Sequence, residues 1–195
     1  MGRRARFLRE DFINAALQIL SQQGLSGVTI AAIASSLNAP VGSVYHRFVS
    51  RELILAEVWL KVVESFQKGF LEILIPGEEL KAALYTLNWS RLHPNRARVL
   101  LLHRREELMV GDWPMEVKEK AELLKEELDD GLKQYTKKVF GEVTPESFSR
   151  VLFALVEVPA AAVRRHLQMG SKIPVIYDEL VGESCNAVLE RFISR

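Results

Sequence analysis

The sequence predicts an all-α protein: a group of three short helices at the N-terminus, followed by a larger helical domain. Three observations carry this expectation. Apolar residues recur at helical spacing along almost the whole chain. Proline, glycine and capping residues punctuate that pattern into about nine helices. No run combines strict alternation with β-branched residues and flanking turns, so no sheet is expected. The chain has 195 residues, 48% hydrophobic and 26% charged, which is enough apolar material for a sizeable core.

Phe12, Ile13, Ala16, Leu17 and Leu20 repeat at helix spacing and stop at Gly24. Thr29 is placed to cap a short second helix carrying Ile30, Ile33, Ala34 and Leu37. Asn38, Ala39 and Pro40 form a turn, and proline is tolerated in the first turn of the helix that follows, about 41–47. Ser50 caps a long helix from about 51 to 74, ended by Pro76 and Gly77. Further helices are expected over 78–92, 94–109, 114–139, 145–169 and 174–194, and Pro159 should kink the one that contains it. The chain changes character near Ser50 with no low-complexity linker. Domains of 1–50 and 51–195, rigidly joined, are therefore expected.

Composition narrows the function. No apolar stretch approaches the ~20 residues that a bilayer requires. The N-terminal arginines have no apolar run behind them, unlike a secretory signal, so a cytoplasmic protein is expected. One cysteine, Cys185, forms no internal disulfide and no cysteine-based zinc site; it is a packed small side chain or, alternatively, a redox sensor. His46, His93, His103 and His166 make no i,i+4 metal pair and sit in no nucleophile motif. There is no glycine-rich phosphate loop, so neither an enzyme nor a cofactor is expected. The net charge of +1 hides an uneven distribution. Residues 1–51 hold six arginines against two acids, a net +4, which leaves −3 for the rest. A basic head on a mildly acidic body fits contact with a polyanion.

The informative stretch is 29–53. Two short helices around a three-residue turn, with small Ala34 at the close approach, make a helix-turn-helix. Val44 and Phe48 point inward. Ser43, Tyr45, His46 and Arg47 are left to face outward, a polar, aromatic and basic face without acids that suits a major groove. These residues resemble the TetR family of bacterial regulators. The family pattern is matched by Thr29, by Ile33-Ala34, by the run from Gly42 through Ser43, Val44, Tyr45, His46 and Arg47 to Phe48, and by Ser50, Arg51, Glu52 and Leu53. Asn38 stands where the family usually has glycine, and tolerates the left-handed conformation better than most residues. Arg51 replaces the usual lysine.

The resemblance implies roles. Thr29 donates its N–H and hydroxyl to a phosphate from a helix N-terminus. Tyr45 and His46 touch phosphates. Ser43 and Val41 meet base edges, Pro40 adding an apolar contact, and Gly42 lets the backbone approach the duplex. Arg51 clamps a phosphate, and Arg3, Arg4 and Arg6 form an arm toward the minor groove. The last two helices are expected to pair with their twofold mates in a homodimer on a palindromic operator. Small 160–163 and the stripe of Tyr177, Leu180, Val181, Cys185, Val188, Leu189 and Phe192 fit this. The family implies a repressor that responds to an unknown small-molecule effector. Its pocket is expected within 52–140, with Trp59, Phe66, Trp89, Trp113 and Tyr135 as lining and His103 and Arg104 as polar anchors. Two alternatives stand beside this: a constitutive or architectural DNA-binding dimer with no effector, and an all-α enzyme or carrier with a vestigial helix-turn-helix.

Overall fold

The computed structural model describes residues 7–193, with side chains as far as Leu189. Arg3, Arg4 and Arg6 of the expected arm, and the Phe192 side chain, lie outside the described residues. Among those described there are eleven α-helices, one π-helical turn and no strand. They are α1 (Arg9–Gly27), α2 (Ile30–Ser36), α3 (Val41–Tyr45), α4 (Arg51–Leu74), α5 (Glu79–Leu92) and α6 (Pro94–Leu102). After these come α7 (Arg105–Leu108), α8 (Met115–Phe140), α9 (Pro145–Leu152), the π turn (Phe153–Glu157), α10 (Val158–Gln168) and α11 (Ile176–Ile193). The all-α expectation holds.

The N-terminal stops and starts follow local chemistry. Gly24 breaks the regular course of α1 at φ 71° and ψ −174°, a conformation that a side chain would strain. Thr29 Oγ1 accepts the Ala32 N–H at 3.0 Å and caps α2. Asn38 turns the chain at φ 51°, the left-handed conformation expected of it. Ser50 Oγ accepts the Leu53 N–H at 3.1 Å and starts α4. Phe12, Ile33, Ala34, Val44 and Phe48 are buried together between α1, α2 and α3.

Beyond Ser50, α5 is the central element. Its Ala82, Ala83, Thr86 and Ser90 are short and buried, which lets α4, α6, α10, α11 and the π turn close around it. The long α4 packs α1 near its start and α8 along its length, and α6 packs α1 on one side and α10 on the other. No helix among the described residues is long and apolar enough to cross a membrane.

Two expected helices are subdivided. The segment 94–109 breaks at His103, which is extended at φ −113° and ψ 150°. The Arg104 N–H then donates to Glu107 Oε2 at 3.0 Å and begins α7. A side-chain cap replaces the proline or glycine that would have marked this break in the sequence. The segment 145–169 carries the π turn directly before Pro159, in place of a simple proline kink. Pro159 has no N–H for the Leu155 carbonyl, and the Val158 N–H instead reaches back five residues to Phe153 O.

Cys185 is fully buried, its Sγ 3.9 Å from Glu79 O. Burial, reinforced by the Glu79 charge, pushes its thiol up to about 11. A redox sensor needs an accessible thiolate, and this cysteine has neither property. Native protein at pH 8 should leave iodoacetamide unreacted, with one equivalent consumed in urea. Native labelling at a free-thiol rate would show that the α5–α11 contact opens readily.

Candidate nucleic-acid interface and ligand cavity

The helix-turn-helix presents its third helix outward. Pro40, Val41, Gly42, Tyr45 and His46 are exposed, Val41 at 44% and Tyr45 at 59%, and Ser43 is partly exposed. No carboxylate occurs between Asp11 and Glu52, so nothing acidic interrupts this face. A Cβ built on Gly42 meets no atom within 4 Å, so no neighbour in the chain requires glycine there. At Thr29 the backbone N–H is already donated to Gly27 O (3.0 Å), while the hydroxyl oxygen caps α2 and leaves its own proton available.

The arginines depart from expectation. Arg47, expected to face outward, is folded back. Its Nη1 donates to Ser43 O (2.8 Å) and Nη2 to Phe7 O (2.6 Å), with the guanidinium 5.3 Å from the Phe12 ring centre. Arg51, expected to hold a phosphate, donates Nε to Val28 O and Nη2 to Leu25 O (2.6 Å). Its Nη1 lies 3.5 Å from Glu52. It ties the end of α1 to the start of α4, because the carbonyls at a helix C-terminus attract donors and positive charge.

Sequence reasoning missed Arg9. Its guanidinium grips both carboxylate oxygens of Glu57 on α4, donates to Arg47 O two residues beyond the third helix, and lies 4.1 Å over the Phe48 ring. An arginine fork fits a carboxylate bidentately, which explains the residue type. Its partner stands 48 residues away, and no local pattern announces it. Lys61 on α4 reaches Glu10 and Asn14 on α1, adding a second strut.

A cavity of about 590 Å³ lies between α4, α6, α8 and the α9–α10 segment. Trp59 and Phe66 line it, as expected. Trp89 is 4% exposed and packs edge-on to Phe66 behind the wall (5.1 Å). Trp113 joins a cluster with Ala56, Leu60 and Met109, its Nε1 on Val110 O. Tyr135 is buried at 2% exposure with its hydroxyl unpartnered; burial raises its pKa, with Glu79 and Cys185 adding to the effect. His103 and Arg104 sit at the α6–α7 break. Burial lowers the His103 pKa, the Glu107 charge opposing it. None of these five reaches the cavity wall.

Missed wall residues are Val63, Leu128, Leu132, Phe148, Leu152 and Val156, with Arg105, Lys125 and Arg164 among the charged ones. Gln67 is on the wall, 7% exposed, and its Oε1 has no hydrogen-bond partner. Among the described residues no three His, Cys, Asp or Glu side chains form a group that could hold a metal.

Residues 12–58 match the family model for bacterial regulatory proteins, tetR family. That match covers the helix-turn-helix end of the chain, and over most of its length the chain is similar in fold to solved regulators. The fatty acid degradation regulator FadR of Bacillus halodurans aligns with TM-score 0.67 and 16% identity, over 92% of this chain and 93% of that one. FadR of Bacillus subtilis, solved in complex with stearoyl-CoA, gives 0.63 and 16% over 96% and 98%. A TetR family regulator of Marinobacter aquaeolei gives 0.66 and 15% over 93% and 94%. No curated protein matches the sequence.

The geometry of Arg51 makes a measurable distinction. Arg51→Ala should lower unfolding stability by about 1–3 kcal/mol in urea titration, because two helix-end carbonyls lose charged donors. Unchanged stability would assign the side chain to the surface and return it to the phosphate role.

Proposed function

We propose that this chain is a cytoplasmic, sequence-specific DNA-binding transcription regulator that responds to a small-molecule effector. It acts as a homodimer on a palindromic operator, with repression as its mode. Residues 1–50 form the reading domain and 51–195 the effector-binding and dimerisation domain. The observation that carries this reading is the exposed, acid-free face of 40–46 on a helix-turn-helix anchored to α4. Ser43 and Val41 meet base edges, with Pro40 beside them. Thr29, through its hydroxyl, and Tyr45 and His46 meet phosphates.

A regulator needs a second site, and the 590 Å³ cavity is within the usual range for a small-molecule pocket. That favours an effector over the constitutive reading. A coupling of about 1–3 kcal/mol between cavity and reading head gives a 5–150-fold change in operator affinity. The dimer is supported by a patch on the α9–α11 face. There Phe153 is 48% exposed beside Val188, rimmed by the Arg150–Glu146 ion pair and Glu157. Charges of both signs around an apolar centre suit a twofold contact. Phe153→Glu should shift the sedimentation of the protein from dimer to monomer; an unchanged dimer would move the interface elsewhere.

Selection from a random duplex library at two salt concentrations tests the main reading. A palindromic site should be enriched; weak, sequence-blind binding would overturn specific regulation. Arg9, Arg47 and Arg51 are all engaged within the protein, so the salt-dependent part of binding falls to the N-terminal arm. Replacing Arg3, Arg4 and Arg6 with glutamine removes up to six phosphate contacts from the dimer and should flatten the logarithmic salt slope by up to about 5.4, at ~0.9 per phosphate. An unchanged slope would exclude the arm from DNA. Gly42→Ala should keep or raise the melting temperature, since alanine favours helix by roughly 1 kcal/mol. The same variant should bind the selected site about tenfold more weakly, a loss of ~1.4 kcal/mol. Full affinity would remove the close backbone approach.

A further inference from the structure

The cavity has a definite shape and charge. Its wall on α8 runs from Ala121 to Leu132, which at the helical rise is about 16 Å. A volume near 590 Å³ along a wall of that length accommodates an extended aliphatic body. Leu60, Val63, Leu128, Leu132 and Phe148 make most of that wall apolar.

Four charged side chains line it: Arg105, Lys125, Arg164 and Asp129. Three of them have charged partners. Glu122 pairs with both Arg105 (3.3 Å) and Lys125 (3.2 Å), and Asp129 pairs with Lys133. Arg164 differs. Its Nε donates to Leu101 O at 3.0 Å, which fixes the guanidinium beside the cavity, and it has no carboxylate partner among the described residues. A held guanidinium with its remaining N–H donors unspent matches one planar anion.

We propose that the cavity takes a slender aliphatic carboxylate, its chain among the leucines of α4 and α8 and its carboxylate on Arg164. The inference rests on the reading of this cavity as the effector site and names the effector's chemical class.

The test uses the full-length protein with decanoate and decylammonium below their micelle concentrations and decanol below its solubility limit, followed by tryptophan fluorescence, since Trp59 is on the wall. Decanoate should bind at least about tenfold more tightly than decanol, the equivalent of ~1.4 kcal/mol. Decylammonium should bind most weakly. Arg164→Gln should abolish the preference for decanoate while leaving decanol affinity unchanged; Arg164 is exposed, and the decanol arm checks directly that the variant is folded. Equal binding of the three probes, no binding by any, or an unaltered preference in Arg164→Gln would each overturn the proposal. Operator binding is measured on the same samples. Decanoate that fills the cavity without changing operator affinity supports the ligand class and overturns the effector reading. Operator release by a ligand of another chemistry, with decanoate inert, overturns the ligand class and supports the effector reading.

Discussion

The arrangement depends on how the reading head is held to α4, and Arg9 is the centre of that attachment. One guanidinium joins α1, the Arg47 carbonyl just beyond the third helix and a carboxylate on α4, and covers the Phe48 ring. The third helix is only five residues long and cannot hold its own orientation, since short isolated helices are marginal in water. Packing of Val44 and Phe48 fixes one side of it. Arg9 and Arg47 fix its carbonyl end, and Arg51 closes the seam between α1 and α4. Three arginines that look like DNA contacts thus build the platform, and the outward face is left to neutral groups.

The same helix carries the other site. The first turns of α4 hold Arg51 and Glu57, and the next two turns supply Trp59, Val63 and Phe66 to the cavity. On the opposite wall, α6 contributes Leu100 and Leu101 to the cavity while packing against α1. Two elements therefore touch both the reading head and the cavity. On the proposed function, a ligand that favours one placement of α4 or α6 would act on the head through packed side chains and ion pairs, the kind of contiguous contact through which coupling travels.

Much of the reading head was legible because its determinants are local. Thr29, Ser50, Gly24 and Asn38 act within three or four residues of themselves, and each does what its type suggested. What escaped is non-local. Arg47 and Arg51 bond to Phe7, Leu25 and Val28 carbonyls across the fold, and a sequence pattern cannot distinguish such an arginine from one facing solvent. The break at His103 hid because a glutamate cap, not a glycine or proline, makes it. The cavity was half legible. Aromatic residues drew attention by type, yet Trp89, Trp113 and Tyr135 pack behind the wall or away from it. Much of the wall is leucine, valine and one phenylalanine from α8 to α10, whose periodicity matches that of ordinary core.

The most direct test of the Arg9 attachment is the affinity of Glu57→Gln for the selected duplex, measured across a salt series. Glu57 belongs to α4 and is engaged with Arg9, so simple electrostatics predicts that removing its negative charge strengthens binding to a polyanion. The platform account predicts the opposite: several-fold weaker binding with an unchanged salt slope, because the third helix loses the charge that orients its anchor. Equal or tighter binding by Glu57→Gln would contradict it.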